Sequence, residues 1–360
     1  MADLLDELVI EILVRLPAVY LLRCTSVCKS WYSLITSPGF ITAQLNKSVT
    51  AGSGKANNET LQGWICSFDR AEKRYLLYGE YGRFGEEYSE LEYPLENQLG
   101  YYRILGCCKG VVCLFIRTGH PNIFLWNPSI RKAVNLRMPS MPQGLRKFVL
   151  GFGTHPATYE CKVIRIAYNM ADSIMNKVPP KVELYTQGTG SRRCISSAPS
   201  IHGIGFKWSH VFVNGAVHWP VDDSHRNSIV SFDMGFESFS KMMLPPALTN
   251  QYLHLNLFGE SLALVNRDVR QGSLGCCIWV MKEIGGAKSW TKLCSINLPG
   301  VSFKTIGLQA NGEVLLATRS NSLISYDPGT EKMVYTGIKG ISSFAFYKET
   351  LVLLRGGNGV

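Results

Sequence analysis

The feature that most constrains this 360-residue chain is a period of about fifty residues running through most of its length. Four runs align with one another: Lys109–Leu114, Asn214–Trp219, Gly259–Leu264 and Asn311–Leu316. Their matched positions, Cys113, Val217, Ala263 and Val314, lie 104 (two steps of 52), 46 and 51 residues apart. A second landmark is a hairpin with a polar turn. Phe124–Lys132 (FLWNPSIRK) returns to Met138-Pro139, Ser325–Lys332 repeats the design, and Ser231–Ser238, returning to Leu244-Pro245, is a looser copy. Gly151–Thr158, followed by Lys162-Val163, is a fourth. Asn or Asp at the turn start caps its own backbone and Pro presets the next torsion. A fifty-residue unit with three or four strands is what a β-propeller blade requires.

Short aromatic and β-branched runs separated by Gly, Pro, Asn and Asp continue from Leu61 onward, with almost no helical period. The expected architecture is an all-β body, a β-propeller of about six blades near 61–93, 104–140, 147–190, 208–246, 255–298 and 304–337. The terminal strand Phe344–Leu354 should pair near Trp64–Phe68 and Tyr75–Tyr78, completing the first blade and closing the ring. Closure removes exposed sheet edges. The structural rival is a two-sheet β-sandwich. Loops differing most between repeats, Glu80–Glu90, Asn169–Pro180 and Val221–Asn227, are the expected substrate-facing rim.

The N-terminal stretch reads differently. Leu4, Leu5, Leu8, Val9, Ile12, Leu13 and Leu16 recur at spacings of three and four, which is helix periodicity. Pro17 ends that helix. A second helix is expected over Val19–Cys24 and a third over Ser26–Thr36, closed by Ser37-Pro38-Gly39. Residues 46–60 (NKSVTAGSGKANNET) are polar and Gly/Ser/Asn-rich, so they read as a flexible linker. The expected division is a helical module over 1–45, a linker over 46–60 and the β body over 61–360. Three short helices cannot hide this much apolar side chain by themselves. The surplus is either a surface for another protein or a cap folded onto the body.

The residues Asp6-Glu7-Leu8, Ile12-Leu13, Leu16-Pro17, Leu21-Leu22-Arg23, Val27-Cys28-Lys29-Ser30-Trp31 and Leu34-Ile35, in this order, resemble the F-box. Leu5 stands where that family usually has its first Pro. The body is similar to the F-box-associated domain of plant F-box proteins, of the S-locus F-box-like and F-box/kelch type. It carries, in order, LGCCKGVVCL, LWNPSIRK, GFGTHP, VELY, FVNGAVHW, SFDM and SWTKL. The resemblance implies a substrate-recognition adaptor of a Skp–cullin–F-box ubiquitin ligase. On that reading Leu4, Leu5, Leu8, Ile12, Leu16, Pro17, Leu21, Leu22, Val27, Cys28 and Trp31 are the candidates for docking the Skp-type linker subunit. The body would hold an unidentified protein substrate for ubiquitination.

Composition and motifs narrow the rivals. Lys and Arg number 37 against 27 Asp and Glu, a net charge of +10. The excess is diffuse, with only doublets such as Arg131-Lys132 and Arg192-Arg193, so nucleic-acid binding is not expected. No apolar run approaches membrane-spanning length, and charges interrupt the N-terminal helix, so no membrane partner is expected and the location should be cytoplasmic or nuclear. Eleven scattered cysteines, with Cys107-Cys108 and Cys276-Cys277 inside apolar runs, read as buried free thiols. No metal-ligand spacing, P-loop, nucleophile elbow or dinucleotide fingerprint is present. No catalytic residue, cofactor or metal is therefore expected, and His218 reads as a core or rim residue. His155, Asp172 and Ser173 could still converge in space. The functional rival is a propeller-type hydrolase or glycan- or ligand-binding protein carrying an incidental helical cap.

Overall fold

A computed structural model describes residues 2–50, 62–68, 74–79, 88–92, 103–116, 122–138, 145–169, 179–188, 191–195, 210–221, 228–248, 252–267, 275–284, 287–298, 301–309, 311–320 and 322–352. The chain opens with four helices: α1 (Ala2–Leu13), α2 (Ala18–Cys24), α3 (Lys29–Ile35) and α4 (Pro38–Thr50). Pro17 separates the first two; its extended torsions (φ −54°, ψ 147°) cannot continue α1, and it stands as the residue preceding α2.

The fourth helix corrects the expectation of three. Ser37-Pro38-Gly39 closes the third helix, as expected, and also opens α4. The Phe40 N–H donates to Ser37 Oγ at 3.2 Å, and Pro38 sits in the first turn, where a missing N–H has no partner to lose. The helix continues through Thr50 into the stretch expected as linker; residues 51–61 lie outside the described residues.

The body then forms four-stranded antiparallel sheets, six among the described residues, each made of neighbouring strands in simple meander order. The first contains β1 (Gln62–Phe68), β2 (Tyr75–Gly79) and β3 (Tyr88–Leu91); the second β4 (Arg103–Cys108), β5 (Val111–Ile116), β6 (Asn122–Asn127) and β7 (Lys132–Arg137). The third runs β8 (Leu145–Thr154), β9 (Cys161–Asn169), β10 (Lys181–Thr186) and β11 (Ser191–Ile195). The fourth comprises β12 (Val211–Val213), β13 (Ala216–Val221), β14 (Ser228–Asp233) and β15 (Phe239–Met243). The fifth has β16 (Tyr252–Phe258), β17 (Ser261–Arg267), β18 (Cys276–Ile284) and β19 (Ala287–Ile296). The sixth has β20 (Phe303–Leu308), β21 (Val314–Thr318), β22 (Ser322–Asp327) and β23 (Lys332–Lys339). The last strand, β24 (Ile341–Lys348), returns to pair with β1 and supplies the missing fourth strand of the first sheet. These bounds follow the six expected repeats. They are separate small meanders, not the two broad sheets of a sandwich.

The chain divides into two compact units, Met1–Tyr81 with Glu87–Met138 and Ser342–Val360, and Gly82–Glu86 with Pro139–Ile341. In the first, the helices have one core, joined by Leu351 and touched by Ile130, and the two sheets another. Tyr75 and Leu77 pack with Ile104, Val112, Leu114, Phe124, Trp126 and Tyr347 between the first and second sheets. Tyr75 meets Trp126 edge-on at 5.1 Å between ring centroids. In the second unit, clusters fill the gaps between the third and fourth, fourth and fifth, and fifth and sixth sheets.

The turns repeat as the sequence foretells. Asn127 Oδ1 accepts from the Ser129 N–H at 3.0 Å, Asp233 Oδ1 from Gly235 at 2.8 Å and Phe236 at 2.7 Å, and Asp327 Oδ1 from Gly329 at 2.8 Å. In the fourth copy His155 Nδ1 accepts from Ala157 at 3.2 Å and Thr158 at 3.1 Å. Four residues beyond each capping residue the backbone turns left-handed: Arg131 (φ 50°), Glu237 (54°), Glu331 (56°) and Tyr159 (56°). The preceding hairpins use Lys109-Gly110 and Asn214-Gly215, both residues at positive φ, which matches the twist of paired strands.

Two outcomes test this fold. Ending the chain at Gly340 removes β24, uncovers an edge of β1 and takes Leu351 out of the helical core. The product should aggregate and unfold at lower temperature in a light-scattering melt; an unchanged monomer with an unchanged midpoint would refute the pairing. Gly110 and Gly259 both have positive φ, but a Cβ on Gly110 would stand 2.6 Å from the Lys348 carbonyl oxygen, whereas one on Gly259 meets nothing within 4 Å. Gly259→Ala should cost about 1–2 kcal/mol, and Gly110→Ala a further 1–3 kcal/mol or so, in urea denaturation. Equal losses would refute the crowding.

Candidate functional site

The helical module fills its own core and still has apolar side chains left over. Leu13, Val14, Ala18, Leu21, Ile35 and Phe40 are buried together, with Leu16, Trp31 and Leu34 packed against them. The cluster is completed from the far end of the chain by Leu351, which is fully buried, and touched by Ile130. The N-terminus of α2 is served from the same place. Pro17 offers no side-chain cap, and the Ala18 N–H donates to Glu349 Oε1 at 3.1 Å. Asn127 Nδ2 donates to the carbonyls of Thr350 at 2.9 Å and Val352 at 2.7 Å, and Thr350 Oγ1 to the Lys109 carbonyl at 2.7 Å. The module is thus a cap folded onto the body as well as a bearer of surplus apolar surface.

The structure sorts the expected docking residues. Leu8 (55 %), Ile12 (62 %) and Val27 (64 %) are exposed, and so is Cys28, whose Sγ accepts the Trp31 N–H at 3.5 Å. Leu16 and Trp31 face the core, Leu21 and Pro17 are buried, and Leu22 is half-buried. The side chains of Leu4 and Leu5 lie outside the described residues, though the backbone is helical from Ala2. Sequence reading missed Val19, Tyr20 and Tyr32, which are exposed large apolar residues of α2 and α3. The signal was available: they alternate with the buried Ala18 and Leu21 and the half-buried Trp31 on helices too short to hide both sides. Leu8 and Ile12 are one turn apart on α1, with the Glu11–Arg15 ion pair (2.9 Å) beside them.

The buried charges of the body form ion pairs between strands. Arg165 on β9 and Glu183 on β10 stand opposite each other and are almost completely buried. Arg165 Nε donates to Glu183 Oε2 at 2.7 Å, its Nη2 makes a second contact to the same oxygen, and Lys181 Nζ lies 3.3 Å from Oε1. Burial pushes the Glu183 carboxyl up, but the hydrogen bonds and charges of Arg165 and Lys181 outweigh it and hold it below its ordinary value. Nearby, Lys162 Nζ donates to the Met234 carbonyl at 2.8 Å and to Glu237 Oε1 at 2.7 Å, and Arg193 pairs with the other Glu237 oxygen. Burial, then Arg193, lower Lys162 from its usual value. These groups pair with one another and with backbone, which ties strands together.

The remaining candidates disperse. His155 caps its own turn, and Asp172 and Ser173 lie outside the described residues. Burial lowers His210 to about 4, so its neutral ring accepts the Phe152 N–H at Nε2, 3.2 Å away. Cys108 and Cys276 are buried thiols, and Cys107 and Cys277 half-buried ones. Burial also pushes Cys113 well above its usual value. No grouping of His, Cys, Asp or Glu that could hold a metal occurs among the described residues, and no described helix is long and apolar enough to cross a membrane. His218 faces an open cavity in the second unit. Of the expected substrate loops, 80–87, 170–178 and 222–227 lie outside the described residues.

The chain thus has two parts, a helical module and a body of repeated four-stranded meanders. The chain belongs to the F-box-associated β-propeller family: the family's domain matches residues 85–345, and an F-box domain matches residues 1–42. Its all-β body is therefore a β-propeller. It is 26 % identical to the Arabidopsis thaliana F-box/kelch-repeat protein At3g23880, over 96 % of this chain and 94 % of that one. It is 25 % identical to the Arabidopsis F-box protein At3g07870, over 90 % and 84 %. Among solved structures, TolB from Acinetobacter baumannii matches with a TM-score of 0.51 at 12 % identity, over 86 % of this chain and 72 % of that one, a likeness of fold alone.

The buried pair gives a test. Arg165→Met leaves the Glu183 carboxylate buried without its main partner and should cost about 3–5 kcal/mol, while Arg165→Met with Glu183→Met should recover most of that loss in urea melts. A double variant as unstable as the single one would refute a purely structural role.

Proposed function

We propose that this chain is the substrate-recognition adaptor of a Skp–cullin–F-box ubiquitin ligase. Its F-box docks onto the Skp-type linker subunit, and its propeller holds a protein substrate for ubiquitination. The supporting observation is that the helical core is already complete, closed by Leu351, while Leu8, Ile12, Val27 and Tyr32 remain in water. Apolar side chains left outside a filled core mark a surface for a partner.

On this reading the chain performs no covalent step and needs no cofactor. It acts by raising the effective concentration of substrate lysines near a thioester carried by another subunit. A cytoplasmic or nuclear location belongs to the same proposal. The buried ion pairs, and His155 capping its own turn, favour it over a propeller hydrolase, because these groups are engaged structurally.

Substitution at exposed positions separates docking from folding. Deleting the whole module would uncover Leu351, so point variants are the cleaner instrument. Leu8→Lys with Ile12→Lys should weaken binding to the linker subunit at least about tenfold, while stability changes by no more than about 0.5 kcal/mol. Isothermal titration with the purified linker reads the first and a thermal melt the second. Undiminished affinity in the double variant would sink the proposed interface.

A further inference from the structure

The terminal strands of the sheets do not present their edges alike. β11 exposes Ser191, Arg192, Arg193 and Cys194, while β15 and β19 each expose one large apolar residue, Met243 and Leu293. On β23 two neighbours, Val334 (50 %) and Tyr335 (62 %), stand in water together. Successive side chains of a strand point to opposite faces, so neither face of β23 is covered there. Among the described residues β23 pairs only with β22, and its other edge offers backbone N–H and C=O groups to a further strand. Natural edges are defended by charge or by a bulge. β23 has both, but towards its ends. Glu331 and Lys332 stand at one end and Lys339 at the other. The bulge lies between Tyr335 and Lys339 and is tied to its own sheet: Thr336 Oγ1 donates to the Leu323 carbonyl at 3.0 Å and accepts from the Ile338 N–H at 3.2 Å. The middle, Met333-Val334-Tyr335, is apolar and undefended.

The two ends are opposite in charge and equally spaced from the middle. Along the facing strand, Val334 stands opposite Ser325, Lys339 opposite Ser322 and Lys332 opposite Asp327. Lys339 therefore lies three positions of β22 to one side of Val334, because the bulge takes up the extra residues of β23. Glu331, next before Lys332, lies three to the other side. Both are exposed, and neither enters an ion pair with another described residue. A twofold axis through Val334 sets each Glu331 against the Lys339 of a second copy. The same axis sets Val334 against Val334 and Met333 against Tyr335.

We propose that two copies of this chain join edge to edge through β23, antiparallel about Val334, in an isologous dimer. Such an interface must be complementary to itself. One sequence here supplies both halves of the charge match and both members of each apolar pair, which is why the occupant is a second copy and not an unrelated strand. Directly opposed apolar and oppositely charged side chains stabilise an antiparallel pair, and a strand laid along the edge covers Val334 and Tyr335 on both faces at once. A single strand pair is a small interface, so the dissociation constant should be on the order of ten micromolar. The dimer does not rest on the adaptor reading.

Sedimentation equilibrium of the full-length chain, from about 1 to about 200 µM, reads the association. The average mass should rise from one chain toward two. Val334→Lys places like charges on the axis and should weaken the dimer at least about tenfold. Glu331→Lys alone, or Lys339→Glu alone, turns both charge pairs repulsive and should weaken it about fivefold, whereas the two together reverse each pair and should restore it. Lys292→Glu, an equal charge change on β19, should alter it less than about twofold. These side chains are all exposed, and Arg131 occupies the turn position of Glu331 in the second sheet, so thermal melts of the variants should match the parent. A monomer throughout the range would overturn the proposal. So would a dimer that survives Val334→Lys, or a charge exchange that fails to restore what the single variants lose.

Discussion

Much of the first unit depends on one short turn near the end of the chain, Glu349 to Val352. Leu351 completes a helical core whose other members lie more than three hundred residues earlier. Glu349 supplies the cap that Pro17 cannot, placing a carboxylate at the N-terminal end of α2. A negative group there satisfies an orphan N–H and complements the helix dipole. Thr350 and Val352 are gripped by Asn127 of the second sheet, which is itself fully buried. Burying one leucine contributes about 1.5–3 kcal/mol, but the geometric effect is larger than the energy. Through this turn the F-box and the second sheet share one set of contacts, so the helical module is held at a fixed place on the unit.

The same economy governs the sheets. Each four-stranded meander is too small to bury both faces alone, and stacking provides the cover: Tyr75 on Trp126 in the first unit, Trp219 and Phe232 among the residues between the third and fourth sheets. Trp219 also donates from its indole nitrogen to the Leu150 carbonyl at 3.0 Å, so even this large side chain leaves no buried donor unspent. Repeating turns keep the stack regular. A capping Asn, Asp or His and a left-handed residue four positions later recur in four copies, because the same chain reversal has to be made each time.

Charge plays two roles that the sequence alone does not separate. Arg165, Glu183, Lys162 and Glu237 are inward, paired and structural. A buried pair like this is expensive to desolvate and adds little net stability, but it is costly to break on one side. Lys241 and Lys292, on the terminal strands β15 and β19, are exposed.

What the sequence determined by itself is whatever depends on local pattern. The fifty-residue period set the number and limits of the repeats, the polar turn residues set the hairpins, and the three-and-four spacing from Leu4 to Leu16 set the first helix. Ser37-Pro38-Gly39 stops the third helix as read, but the same residues also open a fourth, and only the chain beyond them decides that. Tertiary structure alone decided which apolar residues of the F-box are surface and which are core. Leu8 and Leu21 look alike in the sequence, yet Leu21 is covered by helices and by Leu351 from the far terminus, while Leu8 is left in water. It also decided that Arg165 finds Glu183 across a strand pair and that His218, Ser231 and Ser240 share a row. Such neighbours come from register and stacking between segments distant in the chain, and no local periodicity encodes them.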